Sequence, residues 1–248
     1  MLVWGRKATL RGGFSNYKGW CVETIVYIDG YNLYYGRLKG TPYKWFDLYR
    51  LSEILLHEQV PDHKLIKVKY FTALVKTKFA THGIASQQAQ DSYHRALTRL
   101  YPLNVEIIYG AHSTVRDTPL IYKKPPQLDN RTEVWKIEEK MTDVNIALHA
   151  YRDVIKGNCK RVVLISNDAD QVPLLEAINA EHNHPIDIGV IFPLHPATQG
   201  KPSRPTSKTL GKLAHWTRNA IPDIALEAAQ LPEQIPTNKK PIRRPDYW

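Results

Sequence analysis

The chain has 248 residues, 43% of them hydrophobic and 23% charged, with a formal net charge of +10. That suits one globular domain, or one domain with appendages, long enough to bury a core without staples. Only Cys21 and Cys159 are present, leaving no disulfide framework and no cysteine-based zinc site and fitting a reducing cytoplasm, and no apolar run is long enough to span a bilayer.

Residues 1–22 are basic and Gly-rich around Arg11-Gly12-Gly13. They lack periodicity and a continuous apolar stretch, so they read as an appendage, not a secretory signal. Residues 24–28 (TIVYI) form a short β-branched run, expected to be a buried strand. Leu48, Leu51, Ile54 and Leu55 have helical spacing over 48–57. Residues 65–75 predict a second strand. A helix over 86–100 would turn Ala89, Tyr93, Ala96, Leu97 and Leu100 inward, and 105–109 (VEIIY) predict a third strand. Residues 112–135 hold Pro119, Pro125 and Pro126 with Lys123 and Lys124 and read as an irregular hairpin leaving the sheet. Val144, Ala147, Leu148, Tyr151, Val154 and Ile155 then follow a helical period and predict one buried face. Residues 161–165 predict a strand, 173–181 a helix with Pro173 in its first turn, and 186–192 a strand. A Pro-rich basic loop precedes a helix expected over 209–219. After Ile221 come five prolines and the basic cluster Lys239, Lys240, Arg243 and Arg244, expected to wrap the surface or stay mobile. Strands alternating with helices predict an α/β fold: a three-layer α/β/α sandwich around a mostly parallel central sheet.

Two of the strands run into acid. The first ends Ile28-Asp29-Gly30-Tyr31-Asn32, and the one at 161–165 runs into Ser166-Asn167-Asp168-Ala169-Asp170. In a parallel sheet both ends lie on one edge, where ligands of such folds sit. Asp143, at the start of the 144–155 helix, brings a fourth carboxylate. Asp143 and Asp170 also suit helix caps, and Asp29 and Asp168 suit turns. Together, however, four clustered carboxylates repel unless protons or a cation sit among them. An all-oxygen donor set suits Mg²⁺ or Mn²⁺, which orient a water and stabilise charge on a phosphodiester. Asn32 and Ser166 are candidate supporting groups. Lys140, three residues before Asp143, suits neutralising an acid or meeting phosphate.

Other chemistries on α/β scaffolds lack their motifs. There is no Gly-x-x-x-x-Gly-Lys-Ser/Thr, no Gly-x-Gly-x-x-Gly after a strand and no Gly-x-Ser-x-Gly. The pair in His182-Asn183-His184 lies in a polar stretch near a helix end and reads as surface. His149 reads as partly exposed.

"YIDGYNLYYG" (27–36), "VWKIEEKMTDVNIALHAYRD" (134–153) and "VVLISNDADQVPLL" (162–175), in this order, resemble the NYN domains, relatives of the PIN-like nucleases. The resemblance spans about residues 23–195. It implies a PIN-like sandwich and a Mg²⁺- or Mn²⁺-dependent ribonuclease. It further implies that Asp29, Asp143, Asp168 and Asp170 are the catalytic, metal-binding acids, supported by Asn32, Lys140, Ser166 and Asn167. Many members of the family have Gly where Met141 stands. On this reading residues 1–22 are an appendage, 23–220 the NYN domain and 221–248 a basic tail. RNA is the implied partner, held by basic groups such as Lys69, Lys76, Lys78, Lys123, Lys124 and Arg204, with Tyr31, Tyr34 and Tyr35 offering stacking faces. The sequence is compatible with a homo-oligomer.

The whole-length pattern is also similar to bacterial proteins described as 6-hydroxy-3-succinoylpyridine hydroxylases. That resemblance implies an NADH-dependent monooxygenase of nicotine degradation acting on a small aromatic substrate. A third reading is a non-catalytic RNA-binding regulator. Clustered carboxylates weigh against it, because negative charge gains nothing in binding a polyanion.

Overall fold

The computed structural model describes residues 21–181, 185–198 and 202–248. Most of the N-terminal appendage and the His182-Asn183-His184 stretch lie outside them. The central sheet is built from β1 (Val22–Asp29), β2 (His63–Thr72), β3 (Val105–Tyr109), β6 (Arg161–Ile165), β7 (Asp187–Ile191) and β8 (Trp216–Arg218). All pairs are parallel, in the order β3-β2-β1-β6-β7-β8. The chain works outward from β1 on one side, then returns to place β6 on the other. The sheet therefore reverses its winding between β1 and β6, which opens a crevice at their carboxyl ends.

Alternate residues of β1 feed two cores. Val26 and Ile28 join α2 (Leu48–Gln59), α3 (Ile84–Leu100) and α7 (Asp223–Ala228) on one face. Ile25 and Tyr27 join α4 (Thr142–Ile155), α5 (Val172–Asn179) and α6 (Lys208–Leu213) on the other. Helices thus cover both faces of a parallel sheet, as the three-layer expectation holds. Between β3 and α4 the chain forms the antiparallel pair β4 (Ala111–Asp117) and β5 (Val134–Lys140), the expected excursion.

Three expectations need correction. The helix expected over 209–219 stops at Leu213, and Trp216–Arg218 is instead the sixth strand. The Trp216 indole packs against Gly189 of β7, where an added Cβ would come within 2.0 Å of it, so the edge strand docks through a missing side chain. The segment after Ile221 is no surface wrap. It forms α7 and a small antiparallel pair, β9 (Gln234–Ile235) and β10 (Ile242–Arg243), and buries Leu226, Leu231, Ile235 and Ile242 in the core. Fully buried Arg37 anchors its start, donating to the Ile221 carbonyl and pairing with Asp223. Lastly, α4 is rotated from its apolar period. Its buried face carries Ile146, Ala150, Asp153 and Val154, whereas Val144 and Leu148 are 60% and 61% exposed. Asp153 takes an inward position because Lys69 Nζ (2.6 Å), the Tyr27 hydroxyl (2.7 Å) and Asn158 (3.0 Å) all donate to its carboxylate. The same rotation turns Asp143, one turn before Ile146, toward the strand ends.

Candidate active site

The final residue of β1 is Asp29. Its carboxylate accepts from the backbone N–H of Asn32 at 2.9 Å and so caps the short helix α1 (Gly30–Leu33). Gly30 follows because the chain passes so close to β2 that a Cβ would meet the Phe71 carbonyl at 2.6 Å. Beyond β6, Asp168 starts a 3₁₀ turn (Ala169–Gln171) and accepts from Asp170 N–H at 3.1 Å. Asp29 and Asp168 are thus local caps. Asp143 is not: the cap position of α4 is Met141, which makes no side-chain cap bond, and Asp143 lies inside the first turn. Met141 holds a left-handed φ of 75°, a conformation that favours glycine.

Across the crevice, carboxylate oxygens of Asp29, Asp143 and Asp168 all lie within 4.8 Å of one another. Two of the four expected supporting groups, Asn32 and Ser166, meet here. Asn32 Nδ2 donates to Asp29 Oδ2 at 2.8 Å and reaches Asp168 Oδ2 at 3.5 Å. Ser166, fully buried, donates to Asp29 Oδ2 at 2.9 Å and accepts from the Asp168 N–H at 3.1 Å. Asn167 faces the other way: it donates to the Pro205 carbonyl and accepts from Ser207 N–H, tying the loop before α6 to the strand end.

Two expected residues stand apart. Asp170 is exposed and outside the trio, though near enough for its charge to raise the pKa of Asp143. Lys140 Nζ is held by Glu138 at 2.6 Å, so it neutralises that glutamate instead of an aspartate of the trio. Of the basic groups expected to hold RNA, Lys76, Lys78, Lys123, Lys124 and Arg204 are exposed. Lys69 is not available, because it is buried in its pair with Asp153.

Gln171 and Glu139 were not singled out from the sequence. Gln171 is fully buried and donates from Nε2 to Asp143 Oδ1 at 2.9 Å, while its Oε1 has no partner among the described residues. Its signal was a polar residue in "SNDADQVPLL", at the threshold of an apolar helix. Glu139 accepts from the Thr142 hydroxyl, and its charge acts on Asp29.

Burial, resisted by the Asn32 and Ser166 bonds and reinforced by the charges of Asp143 and Glu139, pushes the Asp29 carboxyl up to about 6. Asp143 is raised by burial and then by the Asp168 charge. A site that makes carboxylates reluctant to ionise is relieved by a cation. Three hard oxygen donors, with no thiolate or imidazole among them, fit Mg²⁺ or Mn²⁺.

Beside the trio a cleft of about 420 Å³ opens, beginning at Gly30 and bounded by Glu139. Tyr31, Tyr34 and Tyr35 line it and stay 50%, 37% and 45% exposed, so they are not simply core packing. The Tyr31 and Tyr35 rings lie 4.4 Å apart. Tyr34 and Tyr35 stand on a π-helical segment, Tyr34–Leu38, and Tyr31 on α1 just before it.

A parallel α/β/α sandwich with acids converging at its switch point defines a PIN-like protein. The chain belongs to the NYN domain family, whose model matches residues 23–199. It is 38% identical, over 92% of its length and 75% of the relative's, to the 6-hydroxy-3-succinoylpyridine 3-monooxygenase HspA of Pseudomonas putida (strain DSM 28022 / S16). A crystal structure of a protein of unknown function, VPA0982 from Vibrio parahaemolyticus RIMD 2210633, is 19% identical, with a TM-score of 0.46 over 87% of this chain and 100% of that one. Among the described residues no helix is long and apolar enough to cross a membrane.

Proposed function

We propose that the chain is a divalent-metal-dependent ribonuclease that hydrolyses RNA phosphodiester bonds. The observation that carries this reading is the convergence of Asp29, Asp143 and Asp168 from three separate elements within 4.8 Å. Membership of the NYN family supports it. Asp29, Asp143 and Asp168 would hold Mg²⁺ or Mn²⁺, with Asp170 at the margin. Such an ion supplies activation of the attacking water and neutralises charge building on the phosphate. The chain's own residues fix the acids. Ser166 and Asn32 hold Asp29 by both oxygens, and Gln171 holds Asp143. Asn167 keeps the Pro205–Ser207 loop against the strand end, so the crevice has a fixed wall. Exposed Lys76 and Lys78, beyond β2, supply positive charge for the RNA backbone. The test is cleavage of a labelled single-stranded RNA with Mn²⁺ or EDTA. Cleavage that needs the cation and is lost in Asp168→Asn, with an unchanged circular dichroism spectrum, is the expected result. A well-folded wild type that leaves several RNAs intact sinks the reading.

One observation favours a second reading: the 38% identity to a protein named as a pyridine-ring monooxygenase. On that reading the cleft beside the acids takes a hydroxylated pyridine and NADH is the reductant. Oxidation of NADH that depends on both 6-hydroxy-3-succinoylpyridine and oxygen would establish it, and NADH left unconsumed would dismiss it.

A further inference from the structure

The basic cluster Lys239, Lys240, Arg243 and Arg244 has no part in the acidic crevice, and the fold divides it. Arg244 is committed: its guanidinium donates to the Trp248 and Pro42 carbonyls and pairs with Glu233 at 3.0 Å. Lys239 and Lys240 are exposed on the loop that joins β9 to β10, residues 236–241 (PTNKKP). The Thr237 hydroxyl fixes that loop, donating to the Lys240 carbonyl at 2.9 Å and accepting from the Lys239 N–H at 3.1 Å. α3 packs against β10, and Arg99 of α3 approaches the Pro236 carbonyl with its Nε at 3.5 Å. One open pocket results, lined by Arg95, Arg99, Thr237, Asn238, Lys239 and Lys240: four cations and no acid. Among the described residues, the one acid paired with any of the four is Asp91, 3.5 Å from Arg95. Helix electrostatics explain only part of this. Cations gain from the dipole within the last turn of a helix, where Arg99 lies, but Arg95 stands a turn earlier. Arg95 and Arg99, four residues apart, repel each other, and the hairpin brings two more cations from a second element. Like charges held together in this way are relieved by an anion.

We infer that this pocket binds a chain of phosphate groups, the backbone of a nucleic-acid strand or a free oligophosphate. Guanidinium forks match phosphate oxygens two at a time, and ammonium groups meet them as point charges. A single phosphate, with at most about two negative charges, leaves part of the pocket unanswered. Linked phosphates spread their charge from the helix to the hairpin. No aromatic ring lines the pocket, so a base or an aromatic acid finds nothing to stack on. The site lies apart from the acids. α3 leads into the amino end of β3, at the sheet edge opposite to the one that carries Asp29 and Asp168. The hairpin also falls beyond residues 23–199, the part of the chain that the NYN model matches. Phosphate binding here does not depend on whether the chain cleaves RNA.

The test is fluorescence anisotropy of a labelled short oligouridylate, in EDTA and over a range of salt concentrations, with calorimetry of tripolyphosphate alongside. Wild type is compared with two double variants of the pocket, Arg95→Ala with Arg99→Ala and Lys239→Ala with Lys240→Ala. Lys156→Ala with Lys160→Ala, exposed positions between α4 and β6, is the control of equal charge change. All these side chains are exposed, so circular dichroism spectra should not change. Each pocket variant should weaken RNA binding about tenfold or more and lower the slope of log K against log salt by about 1.4, two phosphate contacts on a single strand, with the control within about twofold of wild type. Tripolyphosphate should displace the RNA where inorganic phosphate at equal ionic strength does not. Unchanged RNA binding, with tripolyphosphate binding lost in the pocket variants, assigns the site to a free oligophosphate. Full affinity for both ligands in the pocket variants, no binding of either by wild type, or equal loss in the control overturns the inference. Displacement by inorganic phosphate or poly-glutamate as effective as by tripolyphosphate overturns it too. Because EDTA removes cleavage, none of these results touches the ribonuclease reading.

Discussion

Two regions meet at the carboxyl end of β1, and they are built on opposite principles. On one side Asp29, Asp143 and Asp168 crowd like charges into a partly buried space. On the other, from Gly30 onward, the chain lines a cleft largely with tyrosines and other aromatic rings. On the acidic side burial and neighbouring charge raise the pKa values of Asp29 and Asp143, whereas on the aromatic side the buried Tyr93 hydroxyl has no partner among the described residues. The two regions adjoin at the Asp29–Gly30 peptide bond.

Substitutions sharpen the contrast, and the largest structural effect falls on the only buried lysine expected to bind RNA. Lys69→Ala should destabilise the fold by about 3–5 kcal/mol, because it leaves Asp153 buried without its counter-ion. Urea denaturation checks this, and a variant as stable as wild type would return Lys69 to the surface groups. Asp29 comes next. The folded protein holds its proton up to about 6, whereas an unfolded aspartate releases it near 3.8. Between those values the folded state binds more protons, so cation-free protein should lose stability as pH rises through that window. Asp29→Asn should remove that loss and stabilise the cation-free protein at neutral pH by about 1–3 kcal/mol. Thermal melts in EDTA across pH 4–7 read it; a wild type whose stability stays flat, or rises, over this range contradicts the raised pKa that burial gives Asp29. Adding Mn²⁺ should raise the wild-type melting temperature and leave Asp29→Asn less affected. The smallest effect belongs to Met141→Gly. It relieves the left-handed φ of 75° but loosens the unfolded chain, for a net gain of up to about 1 kcal/mol. A clear loss would mean that the exposed Met141 side chain packs usefully.

The acidic side was the more legible region. Strand ends followed by Asp29 and by "SNDAD" fall on one edge of any parallel sheet, whatever the details of the helices between them. Asp143 joined them through the motif order, although the face chosen for its helix was wrong. Apolar periodicity favoured Val144 and Leu148, but a buried ion pair at Asp153 overrode it. The aromatic side was largely hidden. Tyr31, Tyr34 and Tyr35 stood out as stacking faces, but nothing local announces that Phe79, Tyr93, Tyr247 and Trp248 converge on them. That convergence depends on the C-terminal segment folding back, and its prolines and lysines suggested a loose tail. Leu226, Ile235 and Ile242 are spaced too widely to show a period, yet each is buried. Gln171 escaped notice because its role, holding Asp143, exists only after α4 and the 3₁₀ turn have docked.

The most direct measurement is Mn²⁺ binding by wild type and Asp168→Asn, read from the loss of the free-ion electron paramagnetic resonance signal at neutral pH. Saturable binding by wild type, weakened at least about tenfold in the variant (roughly 1.4 kcal/mol), is the predicted result. Equal binding by the two proteins, or none by either, would contradict a cation site at the end of β1.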